Sequence, residues 1–131
     1  MPKVLIVEDN RLNRDTLKGL LNRLLQSMIV EEASNGGEAM EKVESFQPDL
    51  ILMDIRLPDT TGLELTKRIK INSPKTKVLI LTGHHYPEYK EMAIRYGADG
   101  FLVKGGSSRE ILAMVESLFP KGEESTIDEK K

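Results

Sequence analysis

Asp49-Leu50-Ile51-Leu52-Met53-Asp54 is the stretch on which the fold turns: four apolar residues closed by an acid and followed at once by Ile55-Arg56-Leu57-Pro58. A short, wholly apolar run between polar and turn-forming residues predicts a strand buried on both faces, as in the middle of a parallel sheet. Asp54 then stands at the strand's carboxyl end, the edge at which open α/β sheets bind ligands. Asp is also a common opener of turns, so this residue by itself fits chemistry and plain turn formation equally. The groups at the other strand ends separate the two.

Lys3-Val4-Leu5-Ile6-Val7 is a second buried-strand run, ending in the adjacent acids Glu8 and Asp9. Val78-Leu79-Ile80-Leu81 is a third, ending in Thr82-Gly83-His84-His85, and Gly100-Phe101-Leu102-Val103 is a short one ending in Lys104. Met28 to Ala33 reads as a weaker strand, because Glu31 and Glu32 interrupt it, which suits a sheet edge. Its end, Ser34-Asn35, carries no acid.

Between these runs the apolar period lengthens to that of helices. Leu17, Leu20, Leu21, Leu24 and Leu25 form one buried stripe, in which Gly19 costs about 1 kcal/mol relative to Ala. Asn35 caps a second stripe, Ala39, Met40, Val43 and Phe46, that Pro48 closes. Thr61-Gly62-Leu63-Glu64 has capping-box spacing and opens a helix to about Lys70. Tyr89, Met92, Ala93 and Tyr96 mark a fourth helix that Gly97 ends, with Ile94 on another face. Ser107 and Glu110 have capping-box spacing before the last stripe, Ile111, Leu112, Val115, Leu118 and Phe119, beside which Met114 lies.

A chain of 131 residues with 39% hydrophobic and 31% charged residues fits one domain with a real core. A net charge of −2 argues against a whole-protein footprint for nucleic acid or anionic membrane. With no cysteine, disulfides and Cys-based metal sites are excluded. Neither a signal peptide nor a membrane-length apolar run is present, so a cytoplasmic protein is expected. Residues 1–120 are expected to form the domain, and 121–131 a disordered polar tail.

Strands alternating with helices call for an α/β fold, a doubly wound parallel sheet with right-handed crossovers. In the flavodoxin-like order 2-1-3-4-5, the switch point falls between the first and third strands and brings Glu8, Asp9 and Asp54 together. Thr82 arrives on the fourth strand, and Lys104 reaches inward from the fifth. The second strand is the one without a chemical group. Crowded carboxylates raise one another's pKa values, and one lysine leaves the cluster negative. A hard divalent cation such as Mg²⁺ resolves this through oxygen ligands; histidine ligation by His84 or His85 is less suited to it. A cation beside a carboxylate, a hydroxyl and an ammonium group suits the receipt of a phosphoryl group, with Asp54 as nucleophile. No Walker-type loop or dinucleotide fingerprint competes.

From Pro2 to Phe119 the sequence resembles the receiver domains of bacterial two-component response regulators. The resemblance rests on Glu8-Asp9 after the first strand, Asp54 with Pro58 and Gly62 after the third, Thr82 after the fourth, and Phe101 three residues before Lys104. It implies that Asp54 accepts phosphate from the phosphohistidine of a sensor histidine kinase or a phosphotransfer protein. It further implies that Asp9, Asp54 and the Arg56 carbonyl ligate Mg²⁺, that Glu8 acts through water, and that Thr82 and Phe101 form a switch pair. The output face it implies is the fourth helix, fifth strand and fifth helix, which would meet a second copy or a downstream protein. Two departures stand out. Gly105 follows Lys104 where many receivers have proline, giving Lys104-Gly105-Gly106-Ser107 the look of LuxR-type regulators, and Phe101 replaces a frequent tyrosine and its hydroxyl. Direct DNA binding by this chain is not expected. The competing expectations are a pseudo-receiver and a flavodoxin-like module, either of which would bind partners without phosphate.

Overall fold

In the computed structural model, which describes residues 2–24, 27–84, 86–105 and 107–119, Leu50 to Met53 are buried on both faces at the centre of a five-stranded sheet. Among the described residues strand and helix alternate: β1 (Lys3–Val7), α1 (Arg11–Leu24), β2 (Ile29–Ala33), α2 (Gly36–Phe46), β3 (Leu50–Met53), α3 (Gly62–Asn72), β4 (Lys77–Thr82), α4 (Pro87–Arg95), β5 (Gly100–Val103) and α5 (Ser108–Leu118). Every neighbouring pair is parallel and the order is β2-β1-β3-β4-β5, as expected.

Because successive strand side chains point to opposite faces, the apolar runs divide between two layers. Leu5, Val7, Ile51, Met53, Val78 and Ile80 pack under α2, α3 and α4. Val4, Ile6, Leu50, Leu52, Leu79 and Leu81 pack under α1 and α5 through Leu17, Leu20, Leu21, Leu112, Val115 and Phe119. β2 is the wet edge that its two glutamates predict: Glu31 pairs with Lys42 and Glu32 with Lys18 and Arg14. β5, at the other edge, is half-buried throughout. No described helix is long and apolar enough to cross a membrane.

Several helix ends differ in detail from the sequence reading. The Asn35 side chain accepts from Glu38 N as expected, but the Glu38 carboxylate turns back to the Ser34 N–H and hydroxyl, one residue earlier than a capping box requires. α3 runs to Asn72 with Ser73 as its C-cap, within two residues of the expected end near Lys70. The Ser107 hydroxyl accepts from Arg109 N, so the spacing to Glu110 gives a simple cap. Ile94 is 65% exposed, whereas Met114 packs against the core with its sulfur over Gly100. Leu25, His85, Gly106 and the tail 121–131 lie outside the described residues.

Gly19 sits on the solvent face of α1, and a Cβ built there meets nothing within 4 Å. Gly19→Ala should therefore raise stability by about 1 kcal/mol, through better helix propensity and a less flexible unfolded chain. Urea unfolding measures it, and a loss of stability would contradict the regular, open helix seen at this turn.

Candidate functional site

The register sets the level of each group. Val7 pairs with Met53 and Met53 with Ile80, so Glu8 and Asp54 leave neighbouring strands side by side. Backbone bonds continue past the strand ends and fix these residues: Glu8 N donates to Ala33 O, Asp54 N to Val7 O, and Lys104 N to Thr82 O. Glu8 is buried, and both its oxygens are engaged, one by the Lys104 ammonium and the other by Asn10 N at 3.1 Å. The same ammonium stands 3.6 Å from Asp54 Oδ2, while Asp54 Oδ1 accepts from Ile55 N at 2.8 Å. Lys104 thus reaches inward from the edge strand, as its length allows. Asp9 is exposed, and among the described residues its carboxylate has no hydrogen-bond partner.

Glu8, Asp9 and Asp54 can each offer a carboxylate oxygen within 4.8 Å of the other two. Burial pushes the Asp54 carboxyl up to about 6; Lys104 pulls it down, and Glu8 and Asp9 push it further up. Desolvation is therefore the main cause, and the mutual repulsion expected from the sequence is the smaller one. The donor set fits a hard divalent cation. It is all oxygen, it stays negative after Lys104 is counted, and its exposed member has free lone pairs. The group gathers no histidine from the described residues; the His84 ring instead stacks with Tyr86 at 6.2 Å.

Thr82 is fully buried, and its hydroxyl accepts from His84 N at 3.1 Å. It shares a sheet face with Ile80, hence with Phe101, which pairs with Ile80 and is half-buried against the α2–α3–α4 layer. Arg56 is exposed, and its backbone bridges to Thr61 across the loop after Asp54. Gly105 adopts φ +96°, a turn geometry that glycine permits and proline does not.

Two contacts support this loop, made by Asp59 and Gly62, and of these two residues only Gly62 was singled out from the sequence. The Asp59 carboxylate accepts from Gly36 N at 2.8 Å and Gly37 N at 3.0 Å, tying the loop to the first turn of α2; these N–H groups hold its carboxyl below the usual range. Gly62 lies so close to Asp54 that a Cβ would fall 2.0 Å from Asp54 O. In the sequence Asp59 is one of several turn-forming residues between Pro58 and Gly62. The one signal that could have found it is the start of α2 at Gly36-Gly37, where the first N–H groups of a helix need acceptors and no side chain blocks an approaching carboxylate.

The response regulator receiver domain model matches residues 4–116. Among curated relatives, the transcriptional regulatory protein LnrK of Bacillus subtilis is 36% identical, the match covering 93% of this chain and 56% of that protein. YesN of the same organism, an uncharacterized transcriptional regulatory protein, is 30% identical over 100% of this chain and 36% of its own length. The chain thus spans between about a third and just over half the length of these relatives. A CheY-like receiver domain protein from Methanospirillum hungatei superposes with TM-score 0.83 at 31% identity, covering 90% of this chain and 94% of that one. A LuxR-family DNA-binding response regulator from Staphylococcus aureus gives 0.82 at 27%, covering 90% and 98%. The match begins in β1 and ends within α5, taking in every strand end that builds the acidic cluster, and the chain belongs to the family of response regulator receiver domains.

Proposed function

We propose that Asp54 is the phosphoacceptor of this receiver and takes its phosphoryl group from the phosphohistidine of a sensor histidine kinase or a phosphotransfer protein. The observation that carries this is the approach of Glu8, Asp9 and Asp54 to within 4.8 Å, with the Lys104 ammonium 3.6 Å from Asp54. An Asp54 oxygen forms the new bond to phosphorus as the bond to the donor nitrogen breaks. A carboxyl titrating at about 6 is mostly ionised at cytoplasmic pH, so the nucleophile is available. Lys104 and the Thr82 hydroxyl serve the outer phosphoryl oxygens.

Asp9, Asp54 and the Arg56 carbonyl would hold Mg²⁺, with Glu8 acting through water, and the ion would offset repulsion between the carboxylates and the incoming phosphate. Both Glu8 oxygens already have partners while those of Asp9 have none among the described residues. Asp9→Asn is therefore expected to weaken Mg²⁺ binding about tenfold or more, and Glu8→Gln less. The reverse order in a calorimetric titration would transfer direct ligation to Glu8.

The chain catalyses its own phosphorylation and the later loss of phosphate to water, as a cytoplasmic signalling switch. The new charge draws Thr82 inward, and Phe101 follows into the space on their shared face. The altered surface of α4, β5 and α5 is read by a second copy or a downstream protein. A pseudo-receiver would lack an acid or the lysine, and here Glu8, Asp9, Asp54 and Lys104 are all present. Incubation with acetyl phosphate and Mg²⁺, followed by intact-mass measurement, tests the proposal: one added phosphoryl group is expected, strongly reduced by a chelator. No adduct under either condition would refute it.

A further inference from the structure

Arg14, on the first half of α1, is well covered, its side chain 16% exposed. Its Nε donates to Glu32 Oε1 on β2 at 2.9 Å, and one terminal nitrogen donates to Glu8 O at 2.9 Å and Asp9 O at 3.3 Å. Those carbonyls belong to the segment that turns from β1 into α1, and with no ladder partner there they need another donor. The planar guanidinium can meet a carboxylate and two carbonyls at once, which a lysine ammonium at the same place cannot match. Glu32 is itself braced by Lys18 Nζ at 2.7 Å, so β2, the strand without a group at its own end, anchors the arginine.

We infer that Arg14 is a positioning residue for the acidic pair: held by Glu32, it fixes the Glu8 and Asp9 backbone and so sets the direction in which Asp9 presents its carboxylate. The inference rests on Asp9 being the exposed metal ligand of the proposed site. Lys18 provides the contrast, since it pairs with the same glutamate from the same helix without touching either carbonyl. A plain strut between α1 and β2 would depend on both residues alike.

The test compares the wild type with Arg14→Ala, Arg14→Lys and Lys18→Ala in the full chain by amide NMR. In metal-free protein, exchange at the Asn10 N–H, which is bonded to Glu8, should quicken about tenfold in Arg14→Ala and stay near wild type in Lys18→Ala. In a Mg²⁺ titration, affinity should fall about tenfold in Arg14→Ala, recover in part in Arg14→Lys, and change less than about twofold in Lys18→Ala. If Arg14→Ala proves too unstable to study, Arg14→Lys is expected to show the same losses at smaller size. Wild-type exchange and affinity in the arginine variants, or equal losses in Lys18→Ala, would overturn the inference. A wild type that binds no Mg²⁺ would count against the phosphoacceptor proposal, and the metal-free exchange would still decide whether Arg14 orders the pair.

Discussion

Replacing Asp54 with Asn is expected to abolish phosphorylation and, in the metal-free protein at about pH 8, to increase folding stability. Burial is what raises the Asp54 carboxyl from 3.8 to about 6, and Lys104 only partly opposes it. A carboxyl whose folded pKa is raised binds its proton more tightly in the folded state. Its contribution is most favourable below 3.8, falls as pH rises from 3.8 to about 6, and stays low above that. The full displacement corresponds to at most about 3 kcal/mol, reduced by partial access of water and by the carboxyl's coupling to its charged neighbours. Asn is neutral at every pH and nearly isosteric, so it removes this penalty, which is already net of the attraction to Lys104. A net gain of about 1–2 kcal/mol is expected in urea unfolding without Mg²⁺, vanishing below about pH 4. Equal or lower stability at pH 8 would mean that Lys104 outweighs desolvation.

Gly62→Ala is expected to be the most damaging small substitution near the site. The added Cβ would lie 2.0 Å from Asp54 O and 2.8 Å from Met53 Cγ, and the nearer of these is backbone that cannot rotate away. Gly62 N also donates to Ile55 O at 2.7 Å, so the start of α3 cannot retreat without breaking that bond. Overpacking typically costs about 1–3 kcal/mol, and a clash with the main chain of a buried strand end belongs at the top of that range. A loss of about 3 kcal/mol in urea unfolding, with slowed phosphorylation, is the expected result. Gly83→Ala is the control: a Cβ there meets nothing within 4 Å. Equal stabilities for the two variants would show that the loop is free to move.

The parts of the molecule that announced themselves are those in which one local feature carries the information. Fully buried parallel strands read as unbroken apolar runs, so β1, β3 and β4 stood out, and the groups at their ends, Glu8, Asp9, Asp54 and Thr82, were placed with them. The capping residues Asn35, Thr61 and Ser107 were equally plain. What stayed hidden needs a partner far along the chain. Asp59 finds Gly36 and Gly37 23 and 22 residues upstream, and Arg14 finds Glu32 18 residues downstream, with no periodicity linking them. Burial of Asp54 is likewise a property of the assembled edge, which is why desolvation outranks the like-charge repulsion that its neighbours suggested. Met114, beside its helix's apolar stripe, is half-buried because the helix turns it onto Gly100, a glycine whose missing side chain makes the room.

Borohydride trapping tests the central claim most directly, because it reduces an aspartyl phosphate to homoserine and so marks the residue that carried it. The protein is phosphorylated with acetyl phosphate and Mg²⁺, reduced, digested and mapped by mass spectrometry. Homoserine at position 54, absent without the phosphodonor and absent in Asp54→Asn, is the expected result. Homoserine at Asp9 or Asp59, or a phosphoryl group recovered on a serine, threonine or histidine with Asp54 unmodified, would contradict it.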